Sequence, residues 1–273
     1  MSAYKPILGQ NFLIDKFVRS RIIKTSSIET NETVIEIGAG KGFLTSELIK
    51  KSSKVIALEI DTNLIEHLRT KFADDPNLNI LSEDGRFYNV DQYSSIGEYK
   101  LIANLPYYAA NPILINFLKK NNKPKLIVVM LQKEVALQIT ADIGQMRMLS
   151  VIVQFYGKPS IVTHIKPKSF KPVPKVYSSL IEIKPYAKPM LKVDSETDFF
   201  KLVKLGFSTP RKRLANSIHH GLNIPKSISL ELLDKSKIDS SKRPQELSII
   251  EWGNLYKTYN ELKSSVNFKS NIS

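Results

Sequence analysis

The sequence predicts an α/β domain of repeated strand–helix units followed by a small all-helical domain. Three observations carry this. Short β-branched runs alternate with helical apolar spacing from Thr33 to Ile183. One strand pattern, Lys125–Leu131, is continuously apolar from Leu126, as suits a strand covered on both faces. Strand patterns then stop after Lys184–Met190, where Pro185 and Pro189 bracket a short linker.

In chain order, Thr33–Ile37 reads as a strand ending in glycines, and Phe43–Lys51 follows with helical spacing. Lys54–Glu59 is a second strand, Leu64–Phe72 a second helix, Leu78–Leu81 a third strand and Leu101–Asn104 a fourth. Pro112 suits the first position of a helix with Asn111 as its N-cap, since proline lacks the N–H that would go unpaired there. Lys125–Leu131 is the fifth strand, Glu134–Ala141 and Met148–Phe155 are helical, and Ser160–Ile165 and Tyr177–Ile183 fit two more strands. Repeated βα units imply a parallel, doubly wound sheet. Beyond the linker, Asp198–Phe207, Arg211–His219, Ser229–Lys235, Pro244–Glu246 and Ile249–Lys263 read as helices or helical turns, and Ser264–Ser273 as a frayed polar tail. The expected division is therefore 1–187 and 188–273.

Composition narrows the function. The 273 residues carry 40 Lys and Arg against 26 Asp and Glu, a net charge of +14. That field suits a polyanionic partner such as nucleic acid. Residues 143–181 and 199–230 contain no acidic residue and six basic ones each, which gives phosphates a track without local repulsion. Residues 190–273 carry +5 and the rest +9, so RNA contact is expected from both parts. The absence of cysteine removes disulfides, thiolate metal sites and cysteine nucleophiles. The four histidines show no metal-ligand spacing, so no metal is expected; His219 and His220 read as a diverging, surface or RNA-facing pair. The longest apolar run is far below the ~20 residues of a membrane span. The start of the chain lacks a secretory core, and a cytoplasmic protein without a membrane partner is expected.

The segment Glu36-Ile37-Gly38-Ala39-Gly40-Lys41-Gly42 joins a strand to a helix. Its glycines permit a sharp turn and close approach of a ligand. Glu59 ends the next strand, where a carboxylate can accept both ribose hydroxyls of a nucleoside cofactor. The G-x-G-x-G spacing departs from the dinucleotide pattern and better fits S-adenosylmethionine, which has no pyrophosphate. Asp84, after the third strand, can accept from an adenine amino group, or is an ordinary turn residue.

Asn104-Leu105-Pro106-Tyr107 follows the fourth strand, at the sheet edge where ligands of open α/β sheets bind. The exocyclic amine of adenine is a poor nucleophile, because its lone pair is delocalised into the ring. The Asn104 side-chain oxygen and the Leu105 carbonyl can accept its two hydrogens and favour a more tetrahedral nitrogen. Pro106 fixes the turn without adding a donor, and Tyr107 offers a face to the base. Phe170 is a candidate second aromatic for an extruded base, or a loop anchor in the core. Trp252 reads as core of the second domain.

Taken together these motifs resemble the rRNA adenine dimethyltransferases, in particular the KsgA type acting on small-subunit rRNA. The resemblance runs from Gly9-Gln10-Asn11-Phe12-Leu13 to Arg243-Pro244-Gln245-Glu246-Leu247-Ser248. It implies a Rossmann-like S-adenosylmethionine-dependent methyltransferase sheet with a C-terminal helical domain for RNA or ribosome recognition. It implies action on two adjacent adenines near the 3′ end of small-subunit rRNA, within a ribosomal subunit or assembly intermediate, and nothing in the sequence demands more than a monomer. It adds Asn11 and Leu13 to Gly38, Gly40, Glu59, Asp84 and Asn104 as cofactor contacts. Lys168, Lys171 and Lys175, with Arg211, Lys212 and Arg213, are the candidate RNA contacts. The chain departs from the family at Ala39, at Glu83 and over Tyr108-Ala109-Ala110-Asn111, where Tyr108 either walls the target pocket or packs. Two other readings stay open: a large-subunit rRNA methyltransferase conferring macrolide resistance, and a non-catalytic assembly factor on the same fold. The Arg211-Lys212-Arg213-Leu214-Ala215-Asn216 stretch favours the small-subunit type.

Overall fold

The computed structural model describes residues 11–93 and 96–264; Gly9, Gln10 and the tail beyond Ser264 lie outside the described residues. The chain divides into two compact units. One holds the residues up to Leu137 with Tyr156–Ala187, and the other Gln138–Phe155 with the residues from Lys188 onward.

The first unit is built on strands β2 (Thr33–Ile37), β3 (Lys54–Glu59), β4 (Leu78–Ser82), β5 (Tyr99–Asn104), β6 (Leu126–Gln132), β7 (Gly157–Ile165) and β9 (Ser178–Pro185). Their order across the sheet is β4-β3-β2-β5-β6-β9-β7. A two-stranded antiparallel clasp lies apart from it, β1 (Phe12–Leu13) against β8 (Phe170–Lys171). Helices α1 (Lys16–Ser26), α2 (Thr45–Leu48), α3 (Thr62–Lys71), α4 (Ala110–Leu118) and α5 (Lys133–Ile139) punctuate the strands, and α6 (Met148–Tyr156) falls in the second unit except for its last residue.

The four pairings among β4, β3, β2, β5 and β6 are parallel. The expected all-parallel sheet is corrected at the far edge, where β9 runs antiparallel to both β6 and β7. The reason is local. Residues 166–177 join β7 to β9 with only a single 3-10 turn and the short β8, and without a crossover helix the chain doubles back. Pairing Ser178 with Gln132 puts the start of β9 at the edge where the parallel strands end.

Alternate strand residues are buried on both faces. Val34, Val55, Ile102, Val128 and Met130 join Ile22 of α1, Leu48 of α2 and the clasp residues Leu13 and Phe170 in one core cluster. Ile35, Leu101, Ile127 and Val129, the alternating neighbours, are equally inaccessible. Local chemistry sets the helix starts: Asp15 accepts from the Phe17 and Val18 N–H groups, and Asp61 from those of Asn63 and Leu64. The helix predicted over Phe43–Lys51 is regular only at Thr45–Leu48, with turns on either side. The predicted N-cap of α4 is also corrected. Ala109 caps it and Pro112 is the third helical residue, still in the first turn, where a missing N–H costs nothing.

In the second unit α7 (Glu196–Gly206), α8 (Leu214–Leu222), α9 (Lys226–Lys235) and α10 (Ile249–Ser264) follow one another without a strand among the described residues. Phe155, Phe199 and Phe200 pack with ring centres 5.1–5.2 Å apart. Trp252 is fully buried and stacks on Phe207 at 5.6 Å. The His219 and His220 rings do not diverge: they lie 4.5 Å apart, with His219 Nδ1 against the Ile224 carbonyl. No described helix is long and apolar enough to cross a membrane.

Candidate active site

Strand order reverses between β2 and β5, so the chain leaves the sheet there in opposite directions and opens a crevice at the strands' carboxyl ends. A cleft enclosing about 760 Å3, with the open solvent at its mouth included, occupies this position. The ends of four parallel strands line it: Gly38 and Gly40 after β2, Glu59 at the end of β3, Asp84 after β4, and Asn104 to Ala109 from the end of β5.

The glycine turn is a backbone device. Gly38, Gly40 and Gly42 all have positive φ, at 70°, 57° and 71°. A Cβ on Gly42 would meet Phe72 at 2.5 Å and Leu68 at 2.9 Å, so this glycine is also the seat of α3. The Gly40 N–H donates to Glu59 Oε2 at 2.9 Å, and the Ile60 and Asp61 N–H groups donate to Oε1 at 2.9 and 3.1 Å. Glu59, only 4% exposed, is thus held by three main-chain donors while lining the cleft.

Asp84 is held differently. Arg86 donates to it from its main-chain N–H, from Nε and from Nη2, at 2.5–3.1 Å. This partner keeps the Asp84 carboxyl below the ordinary range, against the opposing effect of burial.

On the other side of the crevice, Asn104 Nδ2 donates to the Asn11 carbonyl at 3.1 Å. With the amide nitrogen committed, Oδ1 is the acceptor that remains. The Leu105 N–H donates to the Met130 carbonyl at 3.1 Å and Leu105 is buried, which fixes the turn to β6. The Tyr107 hydroxyl shares a 2.7 Å hydrogen bond with Ser178 Oγ, and burial raises the phenol above its usual range. Ser178 is in place because β9 runs antiparallel and begins at this edge.

A second pocket adjoins, sharing Phe12, Gly38, Gly40 and Asn104 with the cleft and adding Leu13, Glu36, Lys41 and Lys71. Glu36 is fully enclosed, and burial pushes its carboxyl up to about 7; Thr45 Oγ1 donates to it at 2.6 Å and the nearby Glu59 charge adds to the rise.

The structure therefore gathers Asn11, Gly38, Gly40, Glu59, Asp84, Asn104, Leu105, Pro106 and Tyr107 around one cleft. Leu13 lines the adjoining pocket instead. Phe170, expected as a second aromatic for the base or as a core anchor, takes the second place. It is 1% exposed, within the core cluster that includes Leu13, and does not line the cleft. Pairing of β1 with β8 turns its ring inward. Lys168, Lys171 and Lys175 are exposed in the first unit, and Arg211, Lys212 and Arg213 are exposed in the turn before α8 of the second. Four residues of the site have no role assigned from sequence: Phe12, Glu36, Arg86 and Ser178. Of these, Phe12 and Glu36 stand inside the motifs at Gly9–Leu13 and Glu36–Gly42, whereas Arg86 and Ser178 belong to none.

Comparison with known proteins gives a consistent picture. The family model for ribosomal RNA adenine dimethylase matches residues 1–261. A ribosomal RNA small subunit methyltransferase A of Dehalococcoides mccartyi is 40% identical over 255 residues, covering 92% of this chain and 87% of that protein. One of Alkaliphilus metalliredigens is 39% identical over 259 residues, covering 92% and 90%. Among solved structures, a dimethyladenosine transferase from Plasmodium falciparum superposes with a TM-score of 0.79 at 24% identity, over 92% of this chain and 98% of that one. The 23S rRNA methyltransferase ErmE gives 0.71 at 24% identity, over 92% and 100%. At this identity the two structures speak for the fold alone.

Proposed function

The chain belongs to the ribosomal RNA adenine dimethylase family, and from that premise we propose that it moves methyl groups from S-adenosylmethionine onto the N6 amines of two adjacent adenines near the 3′ end of small-subunit rRNA. One observation carries the reading: Glu59, Asp84 and the Asn104–Tyr107 turn converge on a single cleft from the ends of three strands. The relatives at 39–40% identity bear a small-subunit name, which supports that substrate over the large subunit.

The donor set fits the methyl donor. Three carboxylates, two carboxamides, glycine backbone and the apolar walls Leu58, Ile60 and Ile113 suit a nucleoside that carries a positive charge. Glu59 would hold the ribose hydroxyls and Asp84 the adenine amine, with Asn11, Leu13, Gly38 and Gly40 closing around the rest. When bound, S-adenosylmethionine supplies an electrophilic methyl group on sulfur.

The chain's own residues do the positioning. Asn104 Oδ1 and the Leu105 carbonyl accept the two hydrogens of the target amine, leaving its lone pair free to face the methyl group. Asn11 keeps Asn104 in register through the Nδ2 contact. Tyr107, anchored by Ser178, covers the face of the base. Orientation and local electrostatics lower the barrier, and the amine proton leaves to solvent after transfer. The six exposed basic residues give the rRNA backbone its counter-charge.

Labelled methyl transfer to undermethylated small and large ribosomal subunits tests the reading. Label on two adjacent adenines of the small subunit is expected. Label on the large subunit alone, or rRNA binding with no transfer, overturns it.

A further inference from the structure

Three side chains outside this scheme meet at the lip of the cleft. Arg86 is pinned to Asp84 through Nε and Nη2, and its Nη1 takes part in no hydrogen bond among the described residues. The guanidinium carbon lies 5.3 Å from the Phe87 ring centre and 5.9 Å from that of Tyr108. Phe87 is 76% exposed and Tyr108 54%. Neither ring pairs with another aromatic ring among the described residues. Tyr108 lines the cleft beside Tyr107.

A single exposed aromatic is ordinary on a protein surface. Two that flank a cation, at the mouth of a cleft built for a base, are a different arrangement. The ion pair with Asp84 already restrains Arg86, so little freedom remains to be lost on binding. An RNA base drawn out of its stack leaves its neighbour with an uncovered face and a bent backbone. Aromatic and guanidinium planes cover such a face whatever the base, and a free N–H meets the phosphate.

We propose that Phe87, Arg86 and Tyr108 form a platform for the nucleotide adjoining the target adenine, its base against an exposed ring and its phosphate at Arg86 Nη1. The platform rests on the reading of the cleft as an rRNA adenine site. Because Asp84 serves both the cofactor side and Arg86, the two sides of the cleft share one carboxylate.

Phe87 lies outside the cofactor contacts, so Phe87→Ala separates the platform from the site itself. With undermethylated small ribosomal subunits as substrate, the variant is expected to raise KM for the subunit about 10-fold, the effect of losing one stacked base. Its dissociation constant for S-adenosylmethionine should stay within about twofold of the unaltered protein, and Phe87→Tyr should restore KM while Phe87→Leu should not. An unchanged KM in Phe87→Ala, or full rescue by Phe87→Leu, overturns the platform and leaves the methylation reading intact. Absence of transfer by the unaltered protein overturns the methylation reading and the platform with it.

Discussion

The two walls of the cleft are built by different means. On the wall of β2 and β3, the carboxylate of Glu59 is fixed by three main-chain N–H groups, one from Gly40 in the turn of positive-φ glycines and two from Ile60 and Asp61 just after β3. On the wall of β5, Asn104 and Tyr107 each depend on one distant partner, Asn11 and Ser178, 93 and 71 residues away in sequence. The first wall is therefore a property of the local backbone and tolerates changes elsewhere in the chain. The second is assembled from side chains and can be dismantled one atom at a time.

Four substitutions sharpen this contrast. Asn104→Ala removes the acceptor aimed at the target amine, and methyl transfer should fall about 10²–10³-fold, the usual cost of deleting a preorganised polar group. Binding to the ribosomal subunit should stay nearly unchanged; an equal loss of both would make Asn104 a structural residue.

Glu36→Gln addresses the first wall through stability. The Glu36 carboxyl is raised from its ordinary value of 4.5 to about 7, so the folded protein holds a proton that the unfolded chain releases between those values. Stability from this group is complete below pH 4.5 and is lost as pH rises through 7, by at most about 3 kcal/mol at 1.36 kcal/mol per unit. The glutamine variant should lack that slope in thermal melts at pH 5 to 8. A slope identical to that of the unaltered protein would assign the pH dependence to other groups.

Glu59→Ala should weaken S-adenosylmethionine binding about 30-fold, as expected for hydrogen bonds to a charged group. Isothermal titration reads the effect, and rRNA affinity serves as the control. Ser178→Ala is the mildest. Freed at its hydroxyl, the Tyr107 ring should hold the base less firmly and kcat should drop about 5-fold, equivalent to one hydrogen bond. Titration of S-adenosylmethionine should give the same affinity as before. A change in that affinity with kcat preserved would place Ser178 on the cofactor side instead.

The same contrast explains what could be read from the sequence. The glycine turn, Glu59 and the Asn104–Tyr107 motif are local patterns set by strand ends, and each is found where its spacing puts it. Phe170 was ambiguous because an aromatic in an extended segment points in or out according to its pairing partner, here β1 some 157 residues earlier. The direction of β9 is not legible in the sequence, because apolar alternation is the same for either strand orientation. The Arg86–Asp84 contact and the buried Glu36 depend on burial and side-chain direction, which residue spacing does not encode.

The reversed strand β9 also sets an order in time. A ribosome releases this chain from its N-terminal end, and the glycine turn and Glu59 have both emerged once β3 has, ahead of Asp84 and Asn104. Ser178 emerges 71 residues after Tyr107, so the Tyr107 ring waits for its anchor through the synthesis of α4, β6, α5, α6, β7 and β8. Of the residues that the proposed function places around the cleft, the anchor of the Tyr107 ring is thus the last to be made.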